Sequence, residues 1–191
     1  MGKANGFGVF ERWILRLGYF TSRQQGKRVF EGDLLVLTYP NQTVGQEYRE
    51  DLVQYVSAGG KVLLLDSPEN TGSTANSLLY PFGLSVARGA PLSGALQVPQ
   101  GWPSAQVTAA SQITGGEPLV TLNGTPVAAR ANYGQGEVFV IGFGSRFSDA
   151  NMGVTGEVIP DDNLRRLFDL EFSLLRTCVS ELESSEGPER Q

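Results

Sequence analysis

The hydrophobic pattern of this chain changes period several times, and each change marks an element. Leu34–Thr38 is a continuous apolar run, as expected of a parallel strand covered on both faces. Pro40 and Asn41 break it. Thr43 stands where a helix cap belongs, with Gln46 at the glutamine position of a capping box. Within the helix that follows, Tyr48, Leu52, Tyr55 and Val56 form an inward stripe, and Ala58-Gly59-Gly60 supplies a left-handed stop. Residues 62–65 (VLLL) repeat the buried-strand pattern, and the polar loop Asp66-Ser67-Pro68-Glu69-Asn70 opens at the end of that strand. A third apolar run follows at residues 138–141 (VFVI).

The flanking segments complete the outline. Phe7, Phe10, Ile14 and Leu17 share one face at helical spacing, with Gly18 as the stop. An α/β domain normally opens on a buried strand, yet only a few small and polar residues precede this helix. Either a first strand lies ahead of this sequence or the sheet does without it; the first is the expectation. Residues 77–82 are expected as a short helix closing at Pro81, residues 84–87 as a short strand, and residues 89–116 as a long, partly irregular excursion. Residues 118–122 and 126–132 around Asn123-Gly124 read as a β-hairpin. Gly134-Gln135-Gly136 is a second tight turn. Asp161 and Asp162 open the last helix, whose stripe is Leu164, Leu167, Phe168, Phe172 and Leu175. The expectation is one domain over residues 1–182 and a disordered tail at 183–191, which has nothing to bury.

Composition narrows the class. A chain of 191 residues with 40% hydrophobic and 18% charged positions fits one globular domain. The net charge is −5 and no Lys/Arg stripe interleaves with aromatics along the sequence, so nucleic acid is not an expected partner. Cys178 is the lone cysteine, which excludes an internal disulfide, and its helical surroundings predict a small buried thiol. No apolar run reaches the roughly 18–20 residues that span a bilayer, and there is no signal-peptide pattern. A soluble domain is expected, cytoplasmic or the soluble part of a membrane-anchored protein, without direct membrane insertion of this segment.

Three patterns in order resemble the class I glutamine-amidotransferase-like superfamily. The first is DLLVL followed by a helix ending YVSAGGKVLLL; the second is YGQGEVFVIG; the third is FSDANMG followed by DDNLRRLFDLEFSLL. More narrowly, they are similar to its non-catalytic branch, found in uncharacterised bacterial and archaeal proteins and in the GIFT domain of an intraflagellar-transport subunit. The resemblance implies a three-layer α/β, flavodoxin-like fold with a largely parallel sheet, to which the hairpin adds antiparallel strands. It also implies a first strand ending in a D-x-x-H-G-N-like loop, of which Asn5-Gly6-Phe7 looks like the tail.

The chemistry argues for binding rather than catalysis. In catalytic relatives a cysteine sits at the elbow after the second strand, and here the matching position reads Asp66 to Asn70. Ser67 would be the nucleophile, but the chain has no histidine to activate it, and Pro68 replaces the small residue such elbows prefer. Asp149, Asn151, Asp161, Asp162 and Asn163 form the densest polar cluster. They are either oxygen ligands for a hard cation or, the favoured reading, caps and turn residues. Gly134-x-Gly136 precedes a strand and so serves a turn, whereas a phosphate loop must follow one. Gly142-Phe143-Gly144-Ser145 permits close approach of a ligand or, the favoured reading, tight packing. Trp102 is either a contact residue or a plug over the core.

The expected binding residues are Ser67, Glu69, Asn70, Ser145, Asp149, Asn151, Asp162 and Asn163, on loops that should converge at the C-terminal ends of the strands. No metal and no cofactor are expected. The expected function is a non-catalytic ligand- or protein-binding domain of a larger protein, with a protein partner or a neutral polar small ligand. The alternatives are a hydrolase built on the same loops and a carbohydrate or small-ligand sensor.

Overall fold

Three apolar runs become three neighbouring parallel strands because helices packed on both sides of the sheet can cover apolar side chains on either face. The computed structural model describes residues 6–152 and 159–179. In chain order the elements are α1 (Gly8–Arg16), β1 (Leu34–Thr38), α2 (Gln46–Ser57), β2 (Lys61–Leu65), α3 (Ala75–Leu79), β3 (Ser85–Val86), β4 (Leu92–Gln97), β5 (Gln106–Ala110), β6 (Ile113–Thr114), β7 (Glu117–Leu122), β8 (Thr125–Tyr133), β9 (Gly136–Ile141) and α4 (Asp162–Val179). Short 3-10 turns occupy Gly26–Glu31, Tyr80–Phe82 and Gly144–Phe147.

β1 pairs with β2 and β2 with β9, both in parallel, as the apolar runs predicted. The rest of the sheet differs from expectation. Its order is β1-β2-β9-β8-β7-β4-β5, and every pairing from β9 outward is antiparallel. The largely parallel, flavodoxin-like sheet is therefore corrected to a mixed sheet of seven strands, mostly antiparallel. Residues 89–116 are not an irregular excursion either, since they carry β4 and β5 of the main sheet together with β6. β6 pairs with β3 in a separate two-stranded ribbon. The hairpin of β7 and β8 forms as read, with Asn123 (φ 51) and Gly124 (φ 78) in its two-residue turn.

Alternation along the parallel strands feeds two cores. Leu63, Leu65, Phe139 and Ile141 pack with Phe10 and Ile14 of α1 and with Leu167, Leu170 and Leu174 of α4. Val62, Leu64, Val138 and Val140 point the other way, to Leu52 and Val56 of α2 and Leu78 and Leu79 of α3. This explains the unbroken apolar runs, because no position on β2 or β9 faces water.

Several ends shift. Thr43 does not cap α2: Gly45 occupies the cap position, and the Gln46 side-chain amide donates to Glu50 Oε1 at 2.7 Å. The short helix begins earlier than read, at Ala75, and Pro81 falls in the 3-10 turn after it. Asp161 does cap α4, its Oδ1 accepting the Leu164 N–H at 2.7 Å. The residues expected as a disordered tail lie outside the described residues. So does any strand ahead of α1.

Candidate functional site

The C-terminal ends of β1, β2 and β9 lie side by side, and three loops leave the sheet there. Tyr39 follows β1 with φ 49, a left-handed conformation rarely held by a bulky residue. Its N–H donates to Leu65 O at 2.9 Å, which continues the ladder one step past the strand. The twist sends the phenol across the sheet, where its oxygen lies 2.6 Å from Ser67 Oγ. The Ser67 hydroxyl in turn donates to Glu69 Oε2 at 2.5 Å. A serine has one proton to give, so the Tyr39 hydroxyl is the donor in the first bond. The buried Ser145 hydroxyl approaches the same phenol without meeting hydrogen-bond geometry. Burial raises the Tyr39 phenol above its ordinary value, and the serine contacts act against that.

Asp66 anchors the second loop. It is 1% exposed, and its two oxygens accept from Ser73 Oγ at 2.5 Å and Asn70 Nδ2 at 2.9 Å. Burial pushes its carboxyl up, and those hydrogen bonds pull it back. Asn70 also donates to Pro40 O at 3.2 Å, which ties the β1 loop to the β2 loop. Gly144 N–H donates to Asp66 O at 2.8 Å, which ties in the β9 loop.

The glycines after β9 are there for this packing. A side chain on Gly144 would meet Leu65 Cβ at 2.9 Å, and one on Gly142 would meet Ser111 O at 2.3 Å.

Asp149 ties the loop after β9 to the start of α1. Its Oδ1 accepts the Val9 N–H at 2.7 Å, and its own N–H donates to Gly6 O at 2.7 Å. It therefore caps α1 from 140 positions away in sequence. Asn151 Nδ2 donates to Ser145 O at 2.7 Å, closing the 3-10 turn.

Asp162 and Asn163 are elsewhere. The Asn163 amide accepts from Gln106 N at 2.7 Å and donates to Gln106 O at 3.1 Å. This holds the start of α4 against the first residue of β5, whose other end returns to the β9 loop, Ser111 N–H donating to Gly142 O at 2.8 Å. Ser67, Glu69, Asn70, Ser145, Asp149 and Asn151 lie on the neighbouring loops after β2 and β9, while Asp162 and Asn163 stand at the start of α4, where Asn163 bonds Gln106 of β5.

No group of three His, Cys, Asp or Glu side chains among the described residues could hold a metal. Cys178 is buried under α4, and burial raises its thiol. Trp102 is partly buried against the core and lines an open concavity beside α4.

Sequence reasoning missed two residues here. Tyr39 carried one signal, an aromatic directly ahead of the Pro40-Asn41 break. Glu171 is 1% exposed on α4, and its charge carried no signal of burial.

No protein-family model and no curated protein matches the chain. Solved structures do. An mmIFT52 N-terminal domain is similar with a TM-score of 0.64 at 16% identity, over 92% of each chain. A beta-galactosidase from Bacillus circulans sp. alkalophilus gives 0.52 at 17% identity, over 81% of this chain and 24% of that one. A cold-adapted beta-galactosidase from Rahnella sp. R3 gives 0.51 at 17%, over 79% of this chain and 23% of the other. The chain thus spans about a quarter of those enzymes. At these identities the likeness establishes the fold and nothing further.

Proposed function

We propose that this chain is a non-catalytic binding or scaffolding domain of a larger protein, akin to the non-catalytic amidotransferase-like branch. What carries the reading is how the polar side chains at the strand ends are used. Ser67 is held between Tyr39 and Glu69 and is 3% exposed; Asp66 and Asp149 are spent on loop and helix contacts. None of them stands free at an open surface where a reacting group would need it. The helix placement supports the fold side of the proposal. Helices α1 and α4 pack on one face of β1-β2-β9 and α2 and α3 on the other, which supports a three-layer arrangement for the parallel half, with the antiparallel strands added to it.

The likeness to the mmIFT52 N-terminal domain supports a self-standing module, since it runs nearly end to end on both chains. A fluorophosphonate probe tests the catalytic alternative. The expected result is no covalent labelling of Ser67 in the native protein; labelling abolished by Ser67→Ala would make the domain a hydrolase. A small neutral polar ligand at this edge is the second reading, and the buried Ser145 hydroxyl without a hydrogen bond favours it.

A further inference from the structure

Both tryptophans of the chain meet on one surface, although they lie far apart in sequence. Trp13 of α1 stands edge-on to Phe172 of α4, ring centroids 4.5 Å apart, and 5.7 Å from Phe168. The Arg16 guanidinium covers the Trp13 ring at 4.8 Å. Phe172 also lines a concavity of about 620 Å³ together with Trp102, Pro103, Asp169, Ser173 and Arg176. Along α4 the residues Arg165, Asp169, Phe172 and Arg176 recur at helical spacing and form one stripe across this surface.

The charge of the surface runs against that of the molecule. Arg12, Arg16, Arg165, Arg166 and Arg176 are exposed on α1 and α4, five of the 15 cations in a chain of net charge −5. None of the five forms an ion pair among the described residues. The acidic side chains on the same two helices are fewer. Glu11 is taken by Arg23 at 2.7 Å and Glu171 is buried, which leaves Asp162 and Asp169. No basic and aromatic stripe is visible in the linear sequence; the packing of α1 beside α4 assembles one.

We propose that the α1–α4 face is a docking surface for an acidic segment of a protein partner. An apolar side chain of that segment seats between Trp102 and Phe172, and its carboxylates meet Arg16, Arg165 and Arg176. The proposal deepens the binding-domain reading and rests on it. Tryptophan and arginine are the residues that most often concentrate interface energy, and the guanidinium fork takes a carboxylate through two parallel hydrogen bonds. Among the described residues these cations have no carboxylate to give up, and Arg16 can keep its place over Trp13 while its N–H groups meet a carboxylate. Nucleic acid and an anionic bilayer share the need for cations, but Asp169 in the wall of the concavity repels both. A peptide can satisfy that carboxylate with a backbone amide.

The test uses short synthetic peptides with Glu and Asp around a Leu or Phe, and matched peptides with Lys in place of the acids. Binding is read by the intrinsic fluorescence of Trp13 and Trp102. Acidic peptides should bind and Lys peptides should not, and affinity should fall as salt is raised. Arg176→Glu, on an exposed side chain, should weaken binding by roughly tenfold, with an unchanged circular dichroism spectrum. Trp102→Ala is the second variant and should weaken it similarly.

Equal binding of Lys peptides overturns the proposal, as does acidic binding that neither variant disturbs. In the second case the surface is wrong while the binding-domain reading stands. Binding to vesicles of anionic phospholipid with no peptide binding would replace the protein partner with a membrane. No binding to any probe overturns the docking surface. The binding-domain reading itself falls only by labelling of Ser67.

Discussion

Asp66 in the strand-end loops and Glu171 on the underside of α4 are each 1% exposed, yet their surroundings have little in common. Asp66 has Ser73 and Asn70 donating to its two oxygens. Neither carboxyl oxygen of Glu171 has a hydrogen-bond partner among the described residues, and burial alone pushes it up to about 9. The first region buys order with a polar network; the second accepts an acid among leucines. Burial is therefore not what decides the cost of a carboxyl in this protein. The donors that reach it decide.

Removing the acid from the second region should give the largest effect. Folded Glu171 keeps its proton up to about pH 9, while the unfolded chain gives it up near 4.5. The folded state binds more protons across that window, so stability should fall as pH rises from 4.5 to 9. Glu171→Leu should raise unfolding stability at neutral pH by about 3 kcal/mol, measured by urea denaturation. Glu171→Gln should remove the slope with pH. A wild-type stability that is flat across this window would show that the carboxyl finds a partner in solution.

In the first region the same kind of change should go the other way. Asp66→Leu leaves the Ser73 hydroxyl and the Asn70 amide without their shared acceptor, and should cost about 2 kcal/mol in the same measurement. A gain would mean that the network contributes nothing beyond its burial cost, and the contrast between the regions would collapse. Asp149→Ala should cost about 1 kcal/mol through the lost cap of α1. Hydrogen exchange sharpens that case, since the Val9 amide should lose protection while those of α4 keep theirs.

These contrasts also separate what the residues announce from what they conceal. The runs at β1, β2 and β9 could be read directly because their apolar residues follow one another without a polar position to blur the pattern. β4 and β5 could not. Gly94 sits in β4 at φ 141 beside a register shift, and both strands carry exposed polar residues between their buried ones. That composition looks like loop. Ser67 and Asn70 were placed correctly because the loop following a parallel strand is fixed by topology. The role of Asp149 was out of reach, since the helix it caps begins at the other end of the chain. Glu171 set periodicity against residue type, and periodicity prevailed because its neighbours on the same helix face, Leu167, Leu174 and Cys178, are all buried.

The Asn163 side chain, bonded to both the N–H and the C=O of Gln106, has a consequence for association at high concentration. An amide group copies the hydrogen bonds of an incoming strand, so this border of the sheet is stoppered where β5 begins. β1 forms the opposite border, with no strand beyond it among the described residues. Freeing Gln106 by Asn163→Ala would return its N–H and C=O to an incoming strand at that border.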